Sequence, residues 1–274
     1  MTAADARLDA LRAGDLQVVG RIRSASNATY LCEARLGQDE DGEEGVTVRC
    51  VYKPVAGEQP LWDFPDGTLA GREYGSYLIS ASLGWDIVPH TIIRDGPAGS
   101  GMVQLWVDQK DGEDGGGPGL VELCPSDAVP AEYLCVLTAY DYSGGEVALV
   151  HADDPGLRRM AVFDVIVNNA DRKGGHILAG ADGRVYGVDH GVSLHTHDKL
   201  RTVLWGWAGT RIDDETLRAL AVLDGQLDGA LGGALAAHIT EAELAALRRR
   251  VRALLEEPVM PGPDGRRPLP WPAF

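Results

Sequence analysis

Asn168-Asn169-Ala170-Asp171-Arg172-Lys173-Gly174-Gly175-His176 and, a short excursion later, Val188-Asp189-His190-Gly191 are the segments on which the reading of this chain turns. Between them run Ile177-Leu178-Ala179, a turn at Gly180-Ala181-Asp182-Gly183, and Arg184-Val185-Tyr186-Gly187. Apolar residues flanking an Asp-Gly pair predict a tight hairpin. A hairpin brings its ends back together, so the spacing predicts that His176 and Asp189 share one metal ion. Asp171 stands where a proton acceptor is needed, and Lys173 follows close behind it. An acid to orient a nucleophile, plus ligands holding magnesium on a triphosphate, is what phosphoryl transfer requires.

Upstream of this core, Asp154-Pro155 predicts a helix start, with proline in the first turn. Leu157, Met160, Ala161, Phe163, Asp164 and Val167 then run at helical spacing towards Asp171. Further back, the Gly-rich stretch 108–119 is the clearest linker in the chain, and it divides 1–107 from 120–257. The first part reads as a helix, then strands over 16–23, 30–36 and 46–55, a helix from Arg72 to Leu83, and strands at 87–89, 91–93 and 102–107. After the linker the pattern is expected to turn helical. Its last helix starts at Thr240-Glu241-Ala242-Glu243, a capping box. The Pro-rich tail 258–274 is expected to be extended.

Lysine is scarce: Lys53, Lys110, Lys173 and Lys199 stand against 21 arginines, so surface solubility falls to arginine. Lys53, ending the apolar strand Val51-Tyr52-Lys53-Pro54, is a candidate for binding α- and β-phosphates. Such an ammonium needs an acidic partner, and Glu73 on the following helix is the choice. No Gly-Lys-Ser/Thr phosphate loop is present, which excludes a simple P-loop protein. The turn carrying Ser24, Ser26, Asn27 and Thr29 offers hydroxyls, an amide and backbone N–H groups to phosphate instead, or is an ordinary polar turn. Asp171 would take the acceptor's proton, and Lys173 would neutralise the transferring group. His176 is the awkward member, because magnesium prefers oxygen while imidazole suits softer ions: either it coordinates weakly, manganese is favoured, or it orients a neighbour instead.

The 274 residues carry a net charge of −16, which opposes nucleic-acid binding and docking on an anionic membrane face. No apolar run of about 18 residues occurs, so no transmembrane helix is expected. The amino terminus lacks the pattern of a secretory signal, which points to the cytoplasm. Cys32, Cys50, Cys124 and Cys135 lack zinc-site or redox spacing and are expected to be buried thiols.

Val51-Tyr52-Lys53-Pro54, Asn169-Ala170-Asp171-Arg172 and Val188-Asp189-His190-Gly191 resemble the phosphatidylinositol 3-/4-kinase-like superfamily, in particular its small bacterial members, and more distantly the HipA-like kinases. The resemblance spans roughly 20–207. It implies an α+β, bilobal, atypical protein-kinase-like fold with a β-rich amino-terminal lobe, a mainly helical carboxy-terminal lobe, and ATP between them. Lys53 would be the ATP lysine, Asp171 the catalytic acid–base and Asp189 the metal ligand. Gln104, Leu105, Trp106 and Val107 would form the hinge that reads adenine. His176 departs from the family, where asparagine is usual. The activity implied is transfer of the γ-phosphate of ATP, with Mg2+ or Mn2+, to a hydroxyl of a soluble small molecule or protein, or of a phosphoinositide. A nucleotide-binding pseudokinase and an AMP-transferring enzyme are the alternatives.

Overall fold

The computed structural model describes residues 2–23, 25–37, 45–110, 119–264 and 267–274. The fold is mixed α+β. Helix α1 (Ala3–Ala13) opens the chain, with a capping box in which the Thr2 side chain accepts from Asp5 N and the Asp5 carboxylate accepts from Thr2 N. Strands β1 (Asp15–Arg21), β2 (Tyr30–Leu36) and β3 (Val46–Pro54) follow, then α2 (Leu69–Leu83), β4 (Thr91–Gly96) and β5 (Gly99–Leu105). The five strands form one antiparallel sheet in the order β1-β2-β3-β5-β4. Alternation along β3 fixes its two faces. Val48, Cys50 and Tyr52 point into a small core with Cys32, Ala34, Val103 and the α1 residues Ala10 and Leu11. Val51 and Lys53 therefore face the other way.

Helix α2 starts earlier than Arg72 because its first turn is capped twice. The Thr68 hydroxyl accepts from Gly71 N, and the Glu58 carboxylate accepts from Leu69 N and Ala70 N at 2.9 and 2.8 Å. A carboxylate there also complements the positive helix end. Gly84 in the left-handed region (φ 66°) ends the helix. Residues 87–89, expected as a strand, are irregular, and β5 stops at Leu105 rather than Val107.

Beyond the linker the chain does not turn helical at once. Strands β6 (Val121–Pro125), β7 (Tyr133–Tyr140) and β8 (Glu146–Ala152) form a second antiparallel sheet, ordered β6-β8-β7. Only then come α3 (Pro155–Val167), the hairpin β9 (Ile177–Ala179) and β10 (Val185–Gly187), and helices α4 (Asp214–Leu227), α5 (Ala230–Leu235) and α6 (Glu241–Glu256). The larger core joins Ile79 and Leu83 of α2 to Met160, Phe163 and Ile166 of α3, Leu220 and Leu223 of α4, and Leu247 and Val251 of α6. Helix α2 thus belongs to both halves of the molecule.

Residues 108–110 of the expected linker are docked on the hairpin, Ala181 N donating to Asp108 O (2.7 Å) and Lys110 N to Ala179 O (3.1 Å); 111–118 lie outside the described residues. The tail is folded along the body, not free. Ile212 N donates to Pro258 O, Met260 N to Thr210 O, Thr202 N to Pro268 O, and Gly174 N to Ala273 O at 2.8 Å. Cys32 and Cys50 are buried as expected, but Cys124 is half-buried and Cys135 exposed, both on the second sheet. Two arginines, Arg72 and Arg172, are among the most deeply buried side chains, against the expectation that arginine serves the surface. No helix is long and apolar enough to cross a membrane among the described residues.

Candidate active site

The loop that carries Asp171 is built from the end of α3. The Asp154 carboxylate accepts from Gly156 N and Leu157 N to start the helix, and Pro155 sits in its first turn. Asn168 ends it in the left-handed region (φ 55°, ψ 54°), a conformation asparagine tolerates well. Its side chain is saturated: Nδ2 donates to His195 O and His197 O, and Oδ1 accepts from Lys199 N. Asn169 donates through Nδ2 to Asp164 Oδ1, and its Oδ1 accepts from Asp171 N at 3.0 Å. Two consecutive amides thus fix the direction in which the chain leaves the helix.

Arg172 locks the loop from beneath. Its guanidinium is fully buried and donates to the equally buried Asp164 carboxylate through Nε and Nη2, at 3.0 Å in each case. It also donates to His176 O and Val188 O, both at 3.1 Å, and to His190 Nε2 at 2.6 Å. One side chain therefore ties α3 to both ends of the hairpin. A Cβ at Gly187 would lie 3.0 Å from Arg172 Nη2, so the strand that returns the chain needs glycine there. Neither Arg172 nor Asp164 had a role in the sequence reading. An acid on the apolar face of α3, eight residues before an arginine, was the available signal.

The hairpin performs as the spacing requires. Ile177 pairs with Gly187 and Val188 N donates to His176 O at 3.0 Å. His176 Nε2 consequently lies 3.4 Å from Asp189 Oδ2. His176 Nδ1 donates to Asp171 O at 2.9 Å, which assigns the proton to Nδ1 and leaves Nε2 as the free lone pair whenever the ring is neutral. Burial lowers the His176 pKa, opposed by the Asp189 carboxylate. A neutral imidazole and a carboxylate then face each other as two acceptors, an arrangement that a cation would satisfy. Asp189 itself adopts a left-handed backbone (φ 61°), a strain of order 1–3 kcal/mol of the kind that collects at functional sites.

Lys53 meets this group from the sheet. Its Nζ lies 2.5 Å from Glu73 Oε1 and 2.8 Å from Asp189 Oδ1, while Glu73 Oε2 accepts from His190 N at 3.0 Å. Burial opposes the ammonium, but Asp189 and Glu73 outweigh it and hold its pKa above the usual lysine value. Asp189 is held well below the carboxylate range, first by Lys53, against a burial effect that raises it. Burial raises Glu73 despite Lys53. Asp171 is also raised by burial, against the lowering influence of Lys173 and His176; Lys173 Nζ stands 3.3 Å from its Oδ2.

These side chains line a cavity of about 490 Å3 between the five-stranded sheet and the hairpin. Ser26, Asn27, Lys53, Glu73, Gln104, Leu105, Trp106, Asp171, His176 and Asp189 all contribute to its wall. Ile22, Val51, Leu178 and Val192 add apolar surface. Lys173 stands beside Asp171 but outside the lining. Ser24 lies outside the described residues. Asn27 is partly committed, its Oδ1 accepting from Gln59 N at 2.8 Å. All four residues of the expected hinge, Gln104, Leu105, Trp106 and Val107, line this cavity. Gln104 spends its side-chain amide on Thr91 Oγ1 (2.9 Å), and Leu105 N and Trp106 N donate to His90 O and Arg49 O. These two backbone donors are therefore taken by the protein itself. No group of three or more His, Cys, Asp or Glu side chains is arranged to hold a metal ion among the described residues.

No protein-family model matches the chain. Over 278 residues it is 62% identical to Protein Rv2133c of Mycobacterium tuberculosis (strain ATCC 25618 / H37Rv), a similarity covering 100% of this chain and 98% of that protein. The chain belongs to the same family as that bacterial protein.

Proposed function

For this chain, and for the family it shares with the mycobacterial protein, we propose an ATP-dependent phosphotransferase of the kinase-like, PI3/PI4-kinase-related type. The observation that carries the reading is the ion cluster Lys53–Glu73–Asp189 within a cavity that Asp171 also lines. A lysine on the third strand, paired with a glutamate on the next helix and an aspartate after the catalytic loop, is the arrangement that positions ATP in protein kinases. Likeness of arrangement is an analogy; the roles follow from the chemistry of the side chains themselves.

In the proposed reaction, apolar residues such as Ile22, Val51 and Leu178 cover the base. Lys53 holds phosphate oxygens while Glu73 keeps it extended. The acceptor hydroxyl gives its proton to the Asp171 carboxylate as its oxygen bonds to the γ-phosphorus, and the bond to the ADP oxygen breaks. Lys173 places a positive charge beside the transferring group. Magnesium uses few protein carboxylates and completes its shell with water and phosphate, so Asp189, with His176 alongside, suits such an ion. When bound, it would neutralise charge on the triphosphate. The imidazole donor favours manganese. The acceptor is a hydroxyl compound or protein suited to an acidic chain, since a net charge of −16 repels anionic lipid surfaces.

The test is thermal stability and turnover with ATP and Mg2+ or Mn2+, followed by mass analysis of products from a metabolite and protein panel labelled through ATP. A ligand at 100 times its Kd adds about 2.7 kcal/mol of stability. Asp171→Ala should keep the nucleotide-induced shift and lose turnover; Asp189→Ala should lose the metal-dependent shift. Full turnover in Asp171→Ala would overturn the mechanism. A shift with no turnover in the unaltered protein would instead indicate a nucleotide-binding regulator, and a product carrying AMP would indicate nucleotidyl transfer.

A further inference from the structure

A second cavity, of about 470 Å3, shares no described lining residue with the cleft. It is lined by the end of α3, the 198–205 segment, α6, and Pro261, Gly262, Asp264 and Arg267 of the tail. Its volume lies in the range of small-molecule pockets, roughly 300–1,000 Å3. Within a chain of net charge −16, this wall is locally cationic: Arg201, Arg250, Arg267 and Lys199 stand against Asp198 and Asp264. Lys199 turns its ammonium to Asp63, at 2.9 Å, which leaves the three guanidiniums as the potential anion ligands.

Arg250 is the informative one. Its Nε donates to Ile166 O (3.0 Å) and its Nη1 to His195 O (3.1 Å), so the group is held in place. Its Nη2 is buried without a hydrogen-bond partner among the described residues. A buried charged donor left unpaired is costly, and the planar fork of arginine is matched by phosphate or carboxylate oxygens. Its nearest carboxylate, Asp198, remains 3.8 Å from Nη1. Leu200, Trp205 and Leu254 add apolar surface to the same lining.

We propose that this cavity binds a small phosphomonoester with an apolar body, the phosphate on the arginines and the body against Trp205 and Leu254. Three guanidiniums favour a dianion over a monoanionic carboxylate. The site also has a route to the loop that carries Asp171. Arg201 N donates to Asn169 O and Arg201 O accepts from Arg172 N, both at 2.9 Å, so the backbone of a lining residue is threaded through that loop. Occupancy of the cavity stiffens the loop.

The experiment is isothermal titration of the full chain with hexyl phosphate, hexanoate and hexylamine at low salt, with amide exchange of Arg172 and Arg201 as a second readout. Neither measurement depends on the phosphotransferase reading. The expected result is one-to-one binding of hexyl phosphate, weakened at least tenfold by Arg267→Glu and by Arg201→Ala, with slower exchange at the two amides. Arg250→Gln should also abolish binding, but the other two variants keep the test valid if that protein does not fold. Absence of binding by hexyl phosphate, equal affinity in Arg267→Glu and Arg201→Ala, or equal binding of hexanoate or hexylamine each overturns the assignment. Unchanged amide exchange on binding removes the link to the Asp171 loop.

Discussion

Asp171 and His176 are pushed in opposite directions by one cause, since burial penalises whichever form of each is charged. For Asp171 the raised pKa means that the acid limb of a pH–rate profile should lie above the ordinary carboxylate range. Lys173 acts against the rise, so Lys173→Gln should move that limb to higher pH as well as slow turnover; a limb that stays in place would show that Lys173 does not sense the Asp171 charge. His176 offers a nitrogen lone pair beside the Asp189 oxygens. Replacing it by asparagine exchanges that donor for a harder oxygen, so His176→Asn should raise the affinity for Mg2+ relative to Mn2+ in nucleotide-dependent melting. The pairing of Lys53 with Glu73 was legible because a rare lysine at a strand end needs an acid on the next helix. The roles of Asp164 and Arg172 were not, because a fully buried ion pair contradicts the polarity pattern from which helices are read.

Among the elements, α2 has the most consequential anchorage. Arg72, adjacent to Glu73, donates to Glu243 Oε1 (2.5 Å), Ser193 O (3.0 Å) and Asp66 O (2.9 Å), and both members of the ion pair are buried. One arginine thereby joins the helix that orients Lys53 to the capping box of α6 and to the segment after Asp189. Arg72→Met leaves the Glu243 carboxylate buried and unpaired, so chemical denaturation should report a loss of about 3–5 kcal/mol. Arg72→Met combined with Glu243→Leu should recover much of it, because no bare charge remains; strict additivity of the two losses would contradict the coupling. The β9–β10 hairpin and the α6 cap were readable, since both depend on residues within a few positions of each other. The sheet β6–β8–β7 was not. β7 carries one buried residue, Tyr133, and exposes Cys135, Ala139 and Tyr140, so no two-residue alternation announces it. The path of the tail was equally hidden, because its hydrogen bonds go to partners distant in the chain.

At the scale of the whole molecule, acid is the expected weakness. His90, His151, His176, His190, His195 and His238 all sit below the usual histidine value, foremost because burial disfavours the imidazolium. Unfolded imidazoles protonate near about pH 6.5 while these native ones resist. Stability present above that value is therefore lost as pH falls through the window between the unfolded and depressed native pKa values. Melting curves from pH 7 to 5 should show a falling Tm with proton uptake on unfolding; a level Tm without uptake would contradict it. The tail adds a different kind of dependence. Its carbonyls satisfy amides of Gly174 and Thr202, which flank Asp171 and Arg172 in space, and the indole of Trp205. A ribosome emits residues 258–274 only after every group they fasten has already left the tunnel. The nascent polypeptide therefore carries an unfinished centre until this segment emerges, and a stop codon just ahead of it would yield a protein whose Asp171 loop still rests on Arg172 but whose Gly174 and Thr202 amides have lost these carbonyl partners.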